Sequence, residues 1–145
     1  MNENPYPFTL SRTEYRYEFV SISPKKQVRK IVLLSQTEWI DIFNLALLDM
    51  LEDGETSDLT ETNNEDLKTV LATVTKIIDD FLTKKPACYI VFRGSDERRQ
   101  RLYRIVISRE LIEINKFFDV FGGIGKTIHL FEPNKPFDYF LIQKL

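Results

Sequence analysis

The sequence predicts an α+β fold: an antiparallel sheet of about five or six strands with two main helices packed on one face. Three observations carry this. Residues 14–22, EYRYEFVSI, alternate apolar and polar side chains in the manner of a half-buried strand. Residues 62–85 repeat apolar side chains at helical spacing behind a capping box, TNNE. Short apolar runs bounded by Gly, Pro and Asp follow at 87–92, 127–131 and 137–143. With 145 residues, 43% apolar and 29% charged, the chain has the size of one domain, 1–145. Such a domain buries a core without disulfides, and its first residues, about ten, are expected to be a flexible lead.

In order along the chain, Tyr15, Tyr17 and Phe19 face one side of the first strand and Arg16 and Glu18 the other. SPKK at 23–26 reads as a turn, and QVRKIVLL returns as the second strand of a hairpin. WIDIFNLALLDM, 39–50, is apolar on both faces and fits a buried strand or a short helix. A strand is preferred because EDGE, 52–55, looks like a turn. In the long helix, Thr62 and Glu65 form the capping box. Leu67, Val70, Leu71, Val74, Ile77, Ile78, Phe81 and Leu82 share one face, and Lys84, Lys85 and Pro86 mark the end. ACYIVF, 87–92, reads as a central strand. Ser95 or Asp96 then caps a second helix running to about Phe118. That helix has Tyr103, Val106, Ile107, Leu111, Ile114 and Phe118 on one side and Leu102, Ile105 and Ile112 on the other. It is therefore packed on two sides or broken near Ser108, and a strand over RLYRIVI, 101–107, is the rival reading. TIHLF and FDYFLIQ read as the last strands.

Net charge is −2, so no global field draws the chain to nucleic acid or anionic lipid. The N-terminus lacks the basic and apolar regions of a signal peptide, and no apolar run reaches the length of a membrane span. The expectation is a soluble, cytoplasmic protein with no membrane partner. The single cysteine, Cys88, excludes an internal disulfide and a multi-cysteine zinc site.

FGGIGKTIHLFE, 121–132, contains the tail of a phosphate-binding loop, Gly125-Lys126-Thr127. The full motif needs a glycine at 120, where Val120 stands, and a helix afterwards, where two prolines and β-branched residues follow. Gly122, Gly123 and Gly125 instead read as a tight turn between a helix and a strand. The stretch 49–66 holds eight carboxylates and no basic residue. Its spacing fails a calcium loop at Leu51 and Thr60, so it reads as a solvated acidic loop. His129, the lone histidine, cannot form a two-histidine metal site, and Cys88 in an apolar strand is a poor partner for a catalytic dyad. No cofactor, metal ligand set or catalytic residue is assigned.

The strongest local signal is RGSDERRQRLYRIVISR, 93–109, which holds six of the nine arginines and none of the eleven lysines. On a helix, Arg98, Arg101 and Arg109 cluster on one face with Arg104 at its edge. The amides of Ser95 and Asp96 beside them would complete an anion pocket. Against this, Asp96, Glu97 and Glu110 are close enough in sequence to neutralise the arginines, and the acidic stretch could cover them.

YEFVSISPKK, IFNLALLD, NNEDLKTVLATV and GSDERRQRLYRIVI together resemble a family of short bacterial proteins, common in Bacteroidota, described as a domain of unknown function. Its Gly-Ser-x-x-x-Arg-x-x-Leu-Tyr-Arg segment falls on Gly94, Ser95, Arg99, Leu102, Tyr103 and Arg104. The family often has Thr-Pro or Thr-Lys after Gly-Ser, where this chain has Asp96-Glu97, which puts negative charge into the anion pocket. The resemblance implies no activity, substrate or cofactor, and it favours a strand at Asn44-Leu45-Ala46.

The leading functional expectation is a non-enzymatic binding or regulatory module. It would engage a protein partner or an anionic group through Arg93, Gly94, Ser95, Arg98, Arg99, Arg101, Tyr103 and Arg104. The alternative is an RNA- or phosphate-ester-acting enzyme of a toxin–antitoxin or defence system, with His129, or Asp96 and Glu97, beside the arginines.

Overall fold

The computed structural model describes residues 3–11, 15–22, 27–50, 56–57 and 67–145. The SPKK and EDGE turns, the Thr62–Glu65 capping box and most of the acidic stretch lie outside the described residues. The element order is β1 (Thr9–Ser11), β2 (Arg16–Ile22), β3 (Gln27–Gln36), β4 (Ile42–Met50), β5 (Thr56–Ser57), α1 (Leu67–Lys84), β6 (Tyr89–Phe92), α2 (Glu97–Ile114), β7 (Phe118–Ile124), β8 (Thr127–Leu130) and β9 (Tyr139–Lys144). This is an α+β chain with two helices and a mostly antiparallel sheet among the described residues. Seven of its strands have four residues or more, and β1 and β5 are shorter. The chain groups into two compact units, Met1–Ser35 with Asn44–Phe81, and Gln36–Phe43 with Leu82–Leu145.

In the first unit the strand order is β1-β2-β3-β4, with β5 paired to β4. The alternation read at 15–19 sets the register of the β2–β3 hairpin. Tyr17 lies opposite Val32, Phe19 opposite Lys30 and Ser21 opposite Val28, and Tyr17, Phe19, Ser21, Lys30 and Val32 are buried. α1 presents the apolar face that its spacing predicts, with Val70, Val74, Ile77, Ile78 and Phe81 buried. Three contacts lock that helix in place. The Tyr6 amide donates to Thr73 Oγ1 at 2.9 Å. The Tyr15 ring meets Phe81 edge-on at 5.5 Å. The Tyr17 hydroxyl donates to Asp80 Oδ2 at 2.7 Å.

The Tyr17 bond makes stability sensitive to alkali. Burial first, then the Asp80 carboxylate, pushes the Tyr17 hydroxyl far above the ordinary tyrosine value. The folded chain thus keeps a proton that the unfolded chain releases above about pH 10, so stability falls as pH rises from there toward the raised value. Tyr17→Phe is expected to cost about 2 kcal/mol at neutral pH, because the hydrogen bond from Tyr17 to the Asp80 carboxylate is lost. The same variant should flatten the alkaline decline, by up to about 1.4 kcal/mol per pH unit. Urea midpoints of both proteins at pH 8 and above pH 10 would check this.

In the second unit the strand order is β6-β9-β7-β8. β9 is central, with Ile90 opposite Ile142 and Phe92 opposite Phe140 on one side, and Val120 opposite Ile142 and Gly122 opposite Phe140 on the other. The buried cluster on that face is Ile90, Phe118, Val120, Phe140 and Ile142, extended by Phe131 and Phe137. Their rings pack on one another at 5.7 to 6.5 Å.

Three details differ from the expectations. The second helix ends at Ile114, with Asn115 as its C-cap, and Phe118 opens a strand instead of closing the helix. Gly122 and Gly123 lie inside β7, not in a turn. A Cβ at Gly122 would run into the Phe137 ring, and one at Gly123 into the Tyr139 ring, so these glycines make room for aromatics. The turn itself is the two-residue β7–β8 connection. There Gly125, at φ 58°, takes the first central position of a hairpin turn. The phosphate-loop tail is thus a β-hairpin with no helix behind it.

Candidate functional site

The arginine-rich segment folds as β6, a tight turn and α2. Residues 101–107 are helical, so the strand rival does not hold, and the helix continues through Ser108, whose hydroxyl donates to the Arg104 carbonyl at 2.7 Å. Asp96 is the N-cap, accepting from the Arg99 amide at 2.8 Å. The Arg99 guanidinium folds back over the turn, 3.0 Å from Ser95 Oγ and 3.1 Å from Asp96 Oδ2. A carboxylate of the chain itself therefore sits where an anion would meet the helix N-terminus, and Arg99 is its counter-ion.

Gln100 joins this turn to the aromatic cluster. Its side-chain carbonyl accepts from the Gly94 amide at 2.7 Å, and its amide group donates to the Phe137 carbonyl at 2.8 Å. Sequence reasoning passed over Gln100. The signal available was a polar residue at a half-buried helical position one turn after the cap.

The outer face of α2 is a stripe at positions 98, 101, 105, 109 and 112, and all five side chains are exposed. Arg101 and Arg109 form no ion pair or side-chain hydrogen bond among the described residues, whereas Arg98 is engaged. Ile105, 39% exposed, stands between them, and Ile112, 81% exposed, follows Arg109. The helix is thus neither broken nor packed on two sides. Its second apolar row is half solvent-facing, with Leu102 half-buried and both isoleucines outward. Arg104 is half-buried at the stripe's edge, and Arg93 is exposed just after β6. Tyr103 points to the other side, its ring 5.9 Å from Phe92 at 71°.

The remaining candidates are dispersed. Cys88 is half-buried in the turn before β6, its amide donating to the Lys85 carbonyl at 3.0 Å, rather than inside the strand. His129 stands exposed on β8, its Nε2 3.1 Å from Thr127 Oγ1. β6 and β8 are three interstrand steps apart, roughly 14 Å, so the two do not form a dyad. Among the described residues no cluster of His, Cys, Asp or Glu could hold a metal ion. Asp49, read as part of a solvated loop, is buried on β4 and bonded to Lys30 Nζ at 2.6 Å. No helix among the described residues is long and apolar enough to cross a membrane.

Fold and surface together define a small α+β protein whose most distinctive exposed feature is a mixed arginine and isoleucine helix face. The chain belongs to a family described as one of unknown function, DUF6934, whose model matches residues 2–145. No curated protein and no solved structure matches it.

Proposed function

We propose that this chain is a non-enzymatic binding module that docks an acidic protein segment on the outer face of α2. The observation that carries the reading is the alternation of Arg101 and Arg109 with exposed Ile105 and Ile112 along one helical stripe. Guanidinium groups supply bidentate contacts to carboxylates, and the isoleucines supply apolar area that a phosphate backbone does not use. The Arg93-Gly94-Ser95 turn sets the start of the helix. Asp96 and Arg99 are spent on each other there, which moves the site from the helix N-terminus to its flank. The enzyme alternative has less support. Asp96 is committed to the cap, and His129 belongs to β8, three strands along the second unit's order from β6.

Fluorescence anisotropy tests this with three labelled probes: an amphipathic helical peptide of glutamate and leucine, single-stranded RNA and duplex DNA, each at about 50 and 200 mM salt. The peptide is expected to bind, more weakly at the higher salt. Arg101→Glu/Arg109→Glu should lower its affinity by about tenfold or more without changing thermal stability. Ile112→Ser should weaken the peptide as well. Preferential binding of either nucleic acid, or peptide binding indifferent to the arginine reversal, would overturn the reading.

A further inference from the structure

Among the described residues β8 ends the strand order of the second unit, and all four of its side chains are exposed. Ile128 is 52% and Leu130 69% exposed, an apolar pair on an edge strand without a charged residue or proline inside it. The hairpin register fixes which backbone groups remain available. The Phe131 amide donates to the Val120 carbonyl at 3.0 Å. By the period of two, residues 127, 129 and 131 turn their N–H and C=O groups toward β7. Ile128 and Leu130 turn theirs outward.

We propose that β8 pairs antiparallel with β8 of a second copy of this chain, with His129 opposite His129. This register sets Ile128 against Leu130 of the second copy, twice, so the outward-facing groups meet as hydrogen-bonded pairs and four aliphatic side chains gather on one face. It also sets exposed Lys126 against exposed Glu132 at each end. A shift by one residue would oppose outward groups to inward ones. A shift by two would set Lys126 against Leu130 in one direction, or Ile128 against Glu132 in the other. The sequence LysThrIleHisLeuPheGlu is therefore self-complementary in one register only. The flanking charges choose that register more than they add affinity. A contact built on a four-residue strand lies at the low end of interface sizes, under about 1,200 Å², where association is weak and depends on concentration.

Sedimentation velocity on the full chain, from low to high micromolar concentration, reads the dimer directly. Its mean mass should climb from 17.1 kDa toward twice that value. Leu130→Lys should hold the protein monomeric throughout, with an unchanged circular dichroism spectrum because the residue is exposed. Lys126→Glu should raise the dimer dissociation constant about tenfold, since like charges then meet at both ends. Adding Glu132→Lys to it should restore the original value. A monomer at the highest concentration, a dimer that survives Leu130→Lys, or a double reversal that fails to restore association would each overturn the proposal.

Discussion

Asp49→Ala is expected to destabilise the chain by about 3–5 kcal/mol, read as a fall in the urea midpoint at pH 7. Lys30 and Asp49 are both nearly inaccessible, their side chains 9% and 8% exposed, and they meet at 2.6 Å. Removing the carboxylate takes the 2.6 Å counter-charge from an ammonium group in a setting shared with Phe19, its cross-strand neighbour. Lys30→Met leaves the opposite charge exposed to the same penalty and should cost a similar amount. Removing both charges, as in Lys30→Met/Asp49→Leu, should recover most of the loss, because desolvation of each ion offsets much of their attraction. The three variants form a cycle whose coupling should be large. Single losses of under about 1 kcal/mol would mean that water screens the pair, and the expectation would fail.

This pair also shows where the sequence stops being legible. Asp49 opens a run of carboxylates, and local composition assigns it to a solvated loop. Its partner is 19 residues back on β3, and only the sheet brings the two together. Tyr17 and Asp80 are farther apart still, 63 residues. Features governed by local period were readable. The two-residue alternation of β2, the helical spacing of α1 and a cap for α2 at Ser95 or Asp96, which the fold gives to Asp96, depend on neighbours within a turn or a strand. So did the clustering of Arg98, Arg101 and Arg109, since helical spacing alone puts them on one face. Glycines misled because the same residue serves a turn and a crowded strand. Only the later rings of Phe137 and Tyr139 decide which role Gly122 and Gly123 take. The strand character of TIHL was visible, but its place at the end of the order was not, because edge position depends on where every other strand goes.

Gly94→Ala is expected to cost about 3 kcal/mol, near the upper end for overpacking, and to do so through α2 rather than through β6. Gly94 has no positive φ, so the demand at this position is for space, not for a left-handed backbone. A Cβ there would collide with the backbone nitrogen of Gln100 and crowd the Arg99 carbonyl carbon and Gln100 Cα. Backbone in the first turn of a helix cannot swing aside as a side chain can. Relief requires α2 to move off the turn, and that strains the Gly94–Gln100 and Gln100–Phe137 hydrogen bonds together. Gly125→Ala is the informative contrast. Its surroundings are open but its φ is 58°, so it should lose only the left-handed penalty of about 1–2 kcal/mol. Thermal and urea unfolding of both variants would rank the two causes. A Gly94→Ala protein as stable as the parent would mean that the turn relaxes without moving the helix, and the arginine stripe would then be free of the constraint that now fixes its position. The expected loss would instead tie the placement of that stripe to one hydrogen atom at residue 94.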